Sequence, residues 1–227
     1  MTIEELYKLI EQIGLLTFST IENNEVHSRI AHFNGYDDEG LYFRTMANKP
    51  YGRQLHKTKK VTVCGHYGGG ILNHDDLGAE PIFAPGYSLR IIGEIRFVSA
   101  EEIISKAKTN KMLEVAARDI QTYPAMGEGN FQIIKAKCDI FDYDFGKVTR
   151  PHKLLRTRFS FGGMEFNLAG VRINKDLCIE CGACKDICSF DAIDDSDGYS
   201  VDATHCDDCG NCMRNCPVGA ISESLVF

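Results

Sequence analysis

The chain has 227 residues, is 44% hydrophobic and carries a formal net charge of −7 at pH 7. This size suits one medium and one small domain, and the acidity excludes nucleic acid as a partner because its phosphates would be repelled. The N-terminus has no basic segment followed by an apolar run, and no apolar stretch approaches the ~18 residues that cross a bilayer. We therefore expect a cytoplasmic protein without a signal peptide or a membrane span.

The first predicted element is a helix that opens with the capping box Thr2-x-x-Glu5. Its apolar residues recur at helical spacing, at Leu6, Ile10 and Ile13. Alternating apolar residues then predict strands at 15–21, 26–33, 41–45, 61–67, 88–98 and 131–141. Further helices are predicted at 50–56, 100–110 and 111–120. Meandering strands of this kind are typical of a small antiparallel barrel.

Two segments between the regular elements differ in composition. Gly68–Tyr87 is a long Gly-rich loop, and loops of this length in a compact domain are usually functional or disordered. Residues 146–171 carry five basic residues against one acid and lead into an acidic segment, since residues 172–227 hold eleven acids and four bases. The basic connector either lies along that acidic module or is a solvated linker. The acidic surface either steers a basic partner or keeps a small domain soluble.

Eight of the ten cysteines lie in the last fifty residues, in two copies of one pattern. The copies read Cys178-x2-Cys181-x2-Cys184-x3-Cys188 and Cys206-x2-Cys209-x2-Cys212-x3-Cys216. This is the spacing of bacterial two-cluster [4Fe–4S] proteins, and residues 172–225 resemble the bacterial-type two-cluster ferredoxins. In such proteins the fourth cysteine of each run binds the other cluster. The resemblance implies that one cluster is held by Cys178, Cys181, Cys184 and Cys216, and the other by Cys206, Cys209, Cys212 and Cys188.

The two copies repeat at an interval of 28 residues, which predicts a pseudo-twofold unit. Each half would supply a loop, a cluster site and a short helix. The copies differ after their last cysteine, where Cys216 is followed by Pro217 and Cys188 by Ser189. A serine there can hydrogen-bond a sulfur, so we expect it to tune the second cluster. A zinc ribbon would use four ligands rather than eight, and a disulfide framework would need an oxidising compartment.

Residues 1–145 resemble the FMN-binding split barrel of the pyridoxamine 5′-phosphate oxidase-like superfamily. The resemblance rests on the segments 29–33 and 40–45, on Lys49 and on the hydrophobic strand that begins at Val61. It implies that the phosphate and ribityl chain of FMN are bound by Arg29, Thr45 and Lys49. Additional FMN contacts are expected from Ile30, Arg44 and Asn48. The resemblance also implies a homodimer with the flavin at its interface.

The remaining candidate residues are histidines and cysteines of the first part of the chain. His66 and His74 flank the Gly-rich loop and are candidate catalytic acids or hydrogen-bond donors, although a lone histidine often has a structural role. Cys64 and Cys138 lie in apolar strands and are expected to be buried as small hydrophobic residues. The sequence has no dinucleotide-binding fingerprint, so direct use of NAD(P)H is not expected.

Together these observations predict a mainly β chain with helices (α+β). An antiparallel split β-barrel domain is expected over residues 1–145, a basic connector over 146–171 and a two-cluster ferredoxin domain over 172–227. The expected function is that of an FMN- and iron–sulfur-dependent oxidoreductase of an anaerobic cell, in which reduced ferredoxin or another redox protein donates electrons that reach a small-molecule acceptor. Two alternatives stay open. One is an electron carrier that serves a protein partner, and the other is a split barrel that binds haem or another ligand instead of FMN.

Overall fold

The computed structural model describes residues 1–68, 86–142, 155–165 and 170–224. The chain forms two compact units. The first comprises Met1–Tyr67, Leu89–Cys138 and Ser160–Met164, and the second comprises the described residues of Gly68–Ser88, Asp139–Phe159 and Glu165–Phe227. The domain boundaries predicted from the sequence remain a proposal, because the units are built from alternating segments of the chain. Within the described ranges no helix is long and apolar enough to cross a membrane.

The described strands of the large sheet are β1 (Leu16–Glu22), β2 (Glu25–Ala31), β3 (Phe33–Asp37), β4 (Gly40–Arg44), β5 (Lys60–Gly68), β6 (Gly86–Val98), β7 (Asn130–Asp142) and β8 (Leu155–Phe161). The helices of the same part of the chain are α1 (Ile3–Ile13), α2 (Pro50–Thr58), α3 (Ala100–Lys106) and α4 (Glu114–Thr122), with 3₁₀ turns at Lys111–Leu113 and Pro124–Met126. The cysteine-rich part adds β9 (Val171–Ile173), α5 (Ala183–Ile187), β10 (Ile193–Asp194), β11 (Ser200–Val201), α6 (Asn211–Asn215) and β12 (Ile221–Glu223).

The positions at which the helices begin and end are set by local capping residues. The capping box predicted for α1 is present, since Thr2 Oγ1 accepts from Glu5 N and Glu5 Oε2 accepts from Thr2 N. The helix predicted at 100–110 ends earlier, at Lys106. Asn110 begins the next element instead, because its side chain accepts from Met112 N and donates to the Tyr36 carbonyl. The helix predicted at 111–120 accordingly starts as a 3₁₀ turn.

The strand predicted at 26–33 is two strands. Strand β2 ends at Ala31 and β3 begins at Phe33, with only His32 between them. Phe33 turns inward, where it is 5% exposed, and a bulge between Phe33 and Gly35 shifts the register against β4. The inward turn of one aromatic side chain therefore divides a stretch whose alternation predicts a single strand.

The large sheet is an antiparallel split barrel, as predicted. Its hydrogen-bonded order is β2-β1-β5-β6-β7-β4-β3, and β8 also pairs with β7. Strand β1 runs antiparallel to β2 and β5, and β4 runs antiparallel to β3 and β7. The two edge strands of this path, β2 and β3, follow each other directly in the chain. The path therefore begins and ends on one nearly continuous stretch of chain, interrupted only at His32, and this stretch joins the two ends of the sheet in a barrel.

Aromatic side chains fill the barrel. Phe18 lies 5.1 Å from Phe33 and 5.2 Å from Phe43, and Phe43 stacks on Phe131 at 5.7 Å between ring centroids. Each such pair adds about 0.5–1.5 kcal/mol beyond the burial of its area. These rings come from β1, β3, β4 and β7, so they tie together strands that are distant in the sequence.

The two cysteines of the barrel differ from each other. Cys138 is buried, as predicted. The prediction that Cys64 is buried is wrong, because β5 buries Val61 and Val63 and the alternation of the strand turns Cys64 outward.

The cysteine-rich unit has the predicted pseudo-twofold arrangement. Strand β9 pairs with β12 and β11 pairs with β10, so that each strand has an equivalent 28 residues away. The backbone repeats as well, since positive φ angles recur in three pairs at the same interval: Glu180 and Asp208, Gly182 and Gly210, Asp191 and Gly219.

Candidate cofactor sites

The eight clustered cysteines line two cavities of the second unit. One cavity is lined by Cys178, Cys181, Cys184 and Cys216. The other is lined by Cys188, Cys206, Cys209 and Cys212. Each cavity combines three cysteines of one copy with the last cysteine of the other, which is the grouping that the resemblance implies for two [4Fe–4S] clusters. The sulfur ligation itself remains a prediction.

A glycine precedes each of the two short helices, α5 and α6, that bury a cysteine. Gly182 and Gly210 precede α5 and α6 with φ angles of 81° and 71°, a left-handed conformation in which a Cβ is strained. The helices then bury Cys184 and Cys212, each 9% exposed. Within the described residues no three His, Cys, Asp or Glu side chains converge to hold a single metal ion. Four ligands of one cube bind different irons and stand farther apart than the ligands of one ion.

Backbone amides point at the cysteine sulfurs in both halves. The Ala192 amide donates to Cys188 Sγ at 3.4 Å, and the equivalent Ala220 amide donates to Cys216 Sγ at 3.2 Å. Such donors stabilise a thiolate and raise the potential of a bound cluster. Burial raises the pKa of the Cys206 thiol to about 11, so coordination of this sulfur has to release a proton.

A cleft of about 620 Å³ opens in the first unit. Five of the six residues predicted to contact FMN line it: Arg29, Ile30, Arg44, Thr45 and Lys49. The other lining residues are Ala31, His32, Met46, Pro50, Tyr51 and Met126. The volume lies within the range of small-molecule sites, about 300–1,000 Å³. Asn48 is exposed and is not among the described lining residues, and its carbonyl accepts a hydrogen bond from Arg53 Nη1 at 2.5 Å.

The loop that carries Thr45 and Lys49 is pressed against α2. A Cβ on Gly52 would lie 2.7 Å from the carbonyl oxygens of both Met46 and Ala47. Only glycine permits this approach of the loop to the helix. Helix α2 then starts at Pro50, whose fixed φ suits a first helical position.

Arg29 is held in a fixed orientation beside the cleft. Its Nη1 donates to Thr20 Oγ1 at 2.8 Å and its Nη2 donates to Gln54 Oε1 at 2.9 Å. The guanidinium lies 4.1 Å from the centre of the Tyr51 ring. Gln54 is 1% exposed and its amide nitrogen donates to Glu22 Oε2 at 3.0 Å. This network holds the Arg29 guanidinium in one orientation, because every polar atom of the buried Gln54 side chain is hydrogen-bonded.

Arg44 and Tyr51 both line this cleft, and each carries a buried donor. Arg44 Nη2 pairs with Asp119 Oδ2 at 2.6 Å. Its Nη1 atom and the Tyr51 hydroxyl are buried and have no hydrogen-bond partner among the described residues. Burial raises the pKa of Tyr51, so its hydroxyl keeps its proton. A ligand with anionic oxygens would satisfy both donors, which otherwise cost the free energy of desolvation. The residues therefore fit a phosphate group.

Sequence reasoning missed the residues that orient the two arginines. Thr20 and Gln54 hold Arg29, and Asp119 holds Arg44. One signal was available for Gln54, since it shares the inner face of α2 with Tyr51 and Leu55, and a glutamine on an apolar stripe requires a buried partner.

Of the two candidate catalytic histidines, only His66 lies within the described residues. His66 is exposed on β5 and is not among the described residues that line the cleft. His74 lies outside the described residues, as does most of the loop predicted at 68–87. A catalytic role for either histidine stays a prediction.

Comparison with known families matches the cysteine-rich module. The family described as "4Fe-4S binding domain" matches residues 171–194 and 199–222, one segment for each copy of the repeat. Comparison with curated protein sequences gave no match. The class of protein is thus a split barrel joined to a 4Fe–4S ferredoxin-type domain, as the strand order and this match establish.

Several solved structures are similar to this chain at low sequence identity. A NimC/NimA family protein from Clostridium acetobutylicum is 14% identical, with 70% of this chain and 92% of that chain covered and a TM-score of 0.47. A putative pyridoxamine 5′-phosphate oxidase from Listeria innocua is 14% identical over 58% of this chain and 91% of that one, with a TM-score of 0.38. A FAD-binding protein from Mesorhizobium loti is 12% identical over 59% and 90%, with a TM-score of 0.40.

Proposed function

We propose that this chain is an iron–sulfur flavoprotein that takes electrons from a redox protein, passes them through two [4Fe–4S] clusters to FMN and delivers them to a small-molecule acceptor. When bound, the clusters would supply one-electron steps and the flavin would couple them to a two-electron reduction. The observation that supports the flavin most directly is the pair of buried, unsatisfied donors on Arg44 and Tyr51 in one cleft.

The cleft residues divide into those that would meet the phosphate and those that orient them. Arg44 Nη1 and the Tyr51 hydroxyl would donate to phosphate oxygens, and the exposed Lys49 ammonium adds a mobile positive charge. Arg29 is prepared for the same role by Thr20 and Gln54, which fix two of its nitrogens and leave further N–H groups for an anion. Two oriented guanidiniums and one ammonium suit a group of charge near −2.

The second unit would hold the clusters through its cysteines. Each of its cavities brings together four cysteines, and in each one cysteine sulfur, that of Cys188 or Cys216, accepts a hydrogen bond from a backbone amide. The apolar walls include Phe190 in one cavity and Tyr199 in the other. The acidic surface of this module favours a donor with a basic docking face. The cytoplasmic location, the homodimer and the use of a small-molecule acceptor belong to the same proposal.

The test is cofactor analysis followed by flavin titration, both on the full chain purified without oxygen. About eight iron and eight sulfide per chain are expected. The flavin-free protein should bind FMN, and Arg44→Gln should weaken this binding, whereas Arg118→Gln should not. Arg118 also pairs with Asp119, with 3.9 Å between its Nε and Asp119 Oδ1, but its side chain is 71% exposed and solvent screens this contact, so it is a matched control. Full iron without FMN binding would reject the flavin part of the proposal.

The same titration separates the two alternatives. Binding of haem in place of FMN, abolished by the same arginine substitution, would favour a ligand-binding barrel. FMN binding without reduction of any added small molecule, together with fast exchange of electrons with a protein, would favour an electron carrier.

A further inference from the structure

Two arginines of β8 are almost completely buried within the second unit. The side chains of Arg156 and Arg158 are 11% and 6% exposed. They are two residues apart on a strand and therefore point to the same side of it. The surroundings of a buried guanidinium have to supply compensating charge, because its transfer from water is costly.

The compensating charge comes from Asp139 of β7 and from the loop that carries the second set of cysteines. Asp207 and Asp208 stand between Cys206 and Cys209 in the sequence. Arg156 donates through Nη1 to Asp207 Oδ1, and Arg158 donates through Nη2 to Asp208 Oδ2 at 2.8 Å.

Additional contacts fix this arrangement, which we call the arginine clamp (Arg156, Arg158, Asp207 and Asp208). Arg156 Nε donates to Asp139 Oδ1 at 2.7 Å, and Arg158 Nη1 donates to the Ala203 carbonyl at 2.7 Å. The Gly170 amide donates to Asp208 Oδ1 at 2.6 Å. The Asp208 amide in turn donates to Cys206 Sγ at 3.4 Å. The clamp is therefore in hydrogen-bond continuity with a cysteine sulfur.

The repeat provides an internal comparison. The positions equivalent to Asp207 and Asp208 in the first copy are Ile179 and Glu180, 28 residues earlier, and both are exposed. An exposed carboxylate is screened by water and salt, whereas charges in a partly buried network are screened much less. The two cysteine loops thus share a backbone conformation and differ in their electrostatic surroundings.

Charge close to an iron–sulfur cluster changes its reduction potential, since reduction adds one electron and no bond is made or broken. We propose that Arg156 and Arg158 selectively raise the potential of the cluster held by Cys206, Cys209, Cys212 and Cys188. Arg158 does so by neutralising Asp208, and Arg156 does so by sharing its charge between Asp207 and Asp139. This inference rests on the two clusters of the proposed function and adds that the clusters are tuned separately.

The test is an anaerobic redox titration of the holoprotein followed by electron paramagnetic resonance. Arg158→Gln should shift one of the two reduction steps to lower potential, by roughly tenfold in its equilibrium constant, about 59 mV for one electron. The other step should stay in place. Cys209→Ser, which alters the signal of the cluster that this residue binds, assigns the shifted step to the second loop. As a matched control, Glu180→Gln removes the equivalent exposed carboxylate and should move neither step appreciably.

A double variant distinguishes an electrostatic effect of Arg158 on the cluster potential from a purely structural effect, in which Arg158 only holds the cysteine loop in place. Arg158→Gln with Asp208→Asn removes one charge of each sign, so the shifted step should return close to its original potential. If Arg158→Gln alone loses the cluster, restoration of cluster and potential in the double variant still supports the proposal. Loss of the cluster in both variants, equal shifts of both steps or no shift at all would overturn it. Iron analysis of the unchanged protein distinguishes failure of this inference from failure of the proposed function. Fewer than two clusters in the unchanged protein would overturn both proposals.

Discussion

The two candidate sites of this chain are assembled in opposite ways. Each cysteine cavity takes three of its four cysteines from a run of seven residues, and the run itself dictates the loop and the short helix. The cleft of the first unit instead gathers side chains from β2, β4, α2 and the 3₁₀ turn at Pro124–Met126. A site built mostly from one short segment depends on that segment and on one cysteine of the other copy. A site built from many segments depends on how the barrel closes.

The largest expected effect is the loss of a whole cluster from one of the cysteine cavities. Cys216→Ala should remove the cluster of the first loop rather than that of its own loop, because Cys216 lines the cavity of Cys178, Cys181 and Cys184. About four of eight irons should be lost. Iron analysis and electron paramagnetic resonance should show the same missing signal in Cys216→Ala and Cys178→Ala. A shared loss in Cys216→Ala and Cys206→Ala would contradict the interleaved grouping.

The next effect concerns a direct contact in the cleft of the first unit. Arg44→Gln removes the buried donor that would meet an anionic oxygen, so FMN should bind roughly 10- to 100-fold more weakly, about 1.5–3 kcal/mol for a hydrogen bond to a charged group. Fluorescence titration of the flavin-free protein measures this. Unchanged affinity, with Arg118→Gln behaving in the same way, would mean that the phosphate lies elsewhere.

A smaller effect is expected where a residue acts through another. Gln54→Leu leaves Arg29 Nη2 and the Thr20 hydroxyl without their acceptor. FMN affinity should fall by about tenfold, and the first unit should lose about 1–3 kcal/mol of unfolding free energy, the cost of unsatisfied buried donors. Equal FMN affinity in Gln54→Leu and the unchanged protein would show that Gln54 is not required to orient Arg29.

The smallest effect is a pH dependence that belongs to the barrel alone. Burial raises the pKa of Asp37, but hydrogen bonds from Lys106 and Tyr42 outweigh it and hold the pKa below its ordinary value of 3.8. The stabilisation is therefore present above that ordinary value and is lost as the pH falls through the folded-state pKa. The difference in unfolding free energy between the unchanged protein and Asp37→Asn should shrink as the pH is lowered below 3.8. A difference that stays constant with pH would contradict this account.

The same contrast explains how much the sequence could predict. Cysteine spacing predicted the two cavities, because the relevant contacts lie within a few residues or one repeat. The family resemblance predicted five lining residues of the cleft, among them Arg29 and Thr45. The orienting residues could not be found in this way. Asp119 is distant in sequence from Arg44, and only closure of the barrel brings the helix to the strand.

The connector illustrates a second limit. Its basic residues left open whether it lies along the acidic module or is a solvated linker. The described part contains strand β8, and Arg156 and Arg158 bind acids of that module, which favours the first interpretation. Lys147, Arg150 and Lys153 lie outside the described residues. Charge composition alone cannot distinguish a strand from a linker, because a surface charge and a buried ion pair have the same sequence signature.

The most direct test of the central claim is electron transfer within the fully loaded protein. The full chain, with both clusters and FMN present by analysis, would be mixed without oxygen with a reduced ferredoxin while the flavin absorbance is followed. The account predicts fast loss of flavin absorbance in the unchanged protein and a loss slowed at least tenfold in a Cys209→Ser variant that retains FMN but has a defective second cluster. Reduction of the flavin at the same rate in both proteins would contradict the proposal that electrons reach it through the clusters.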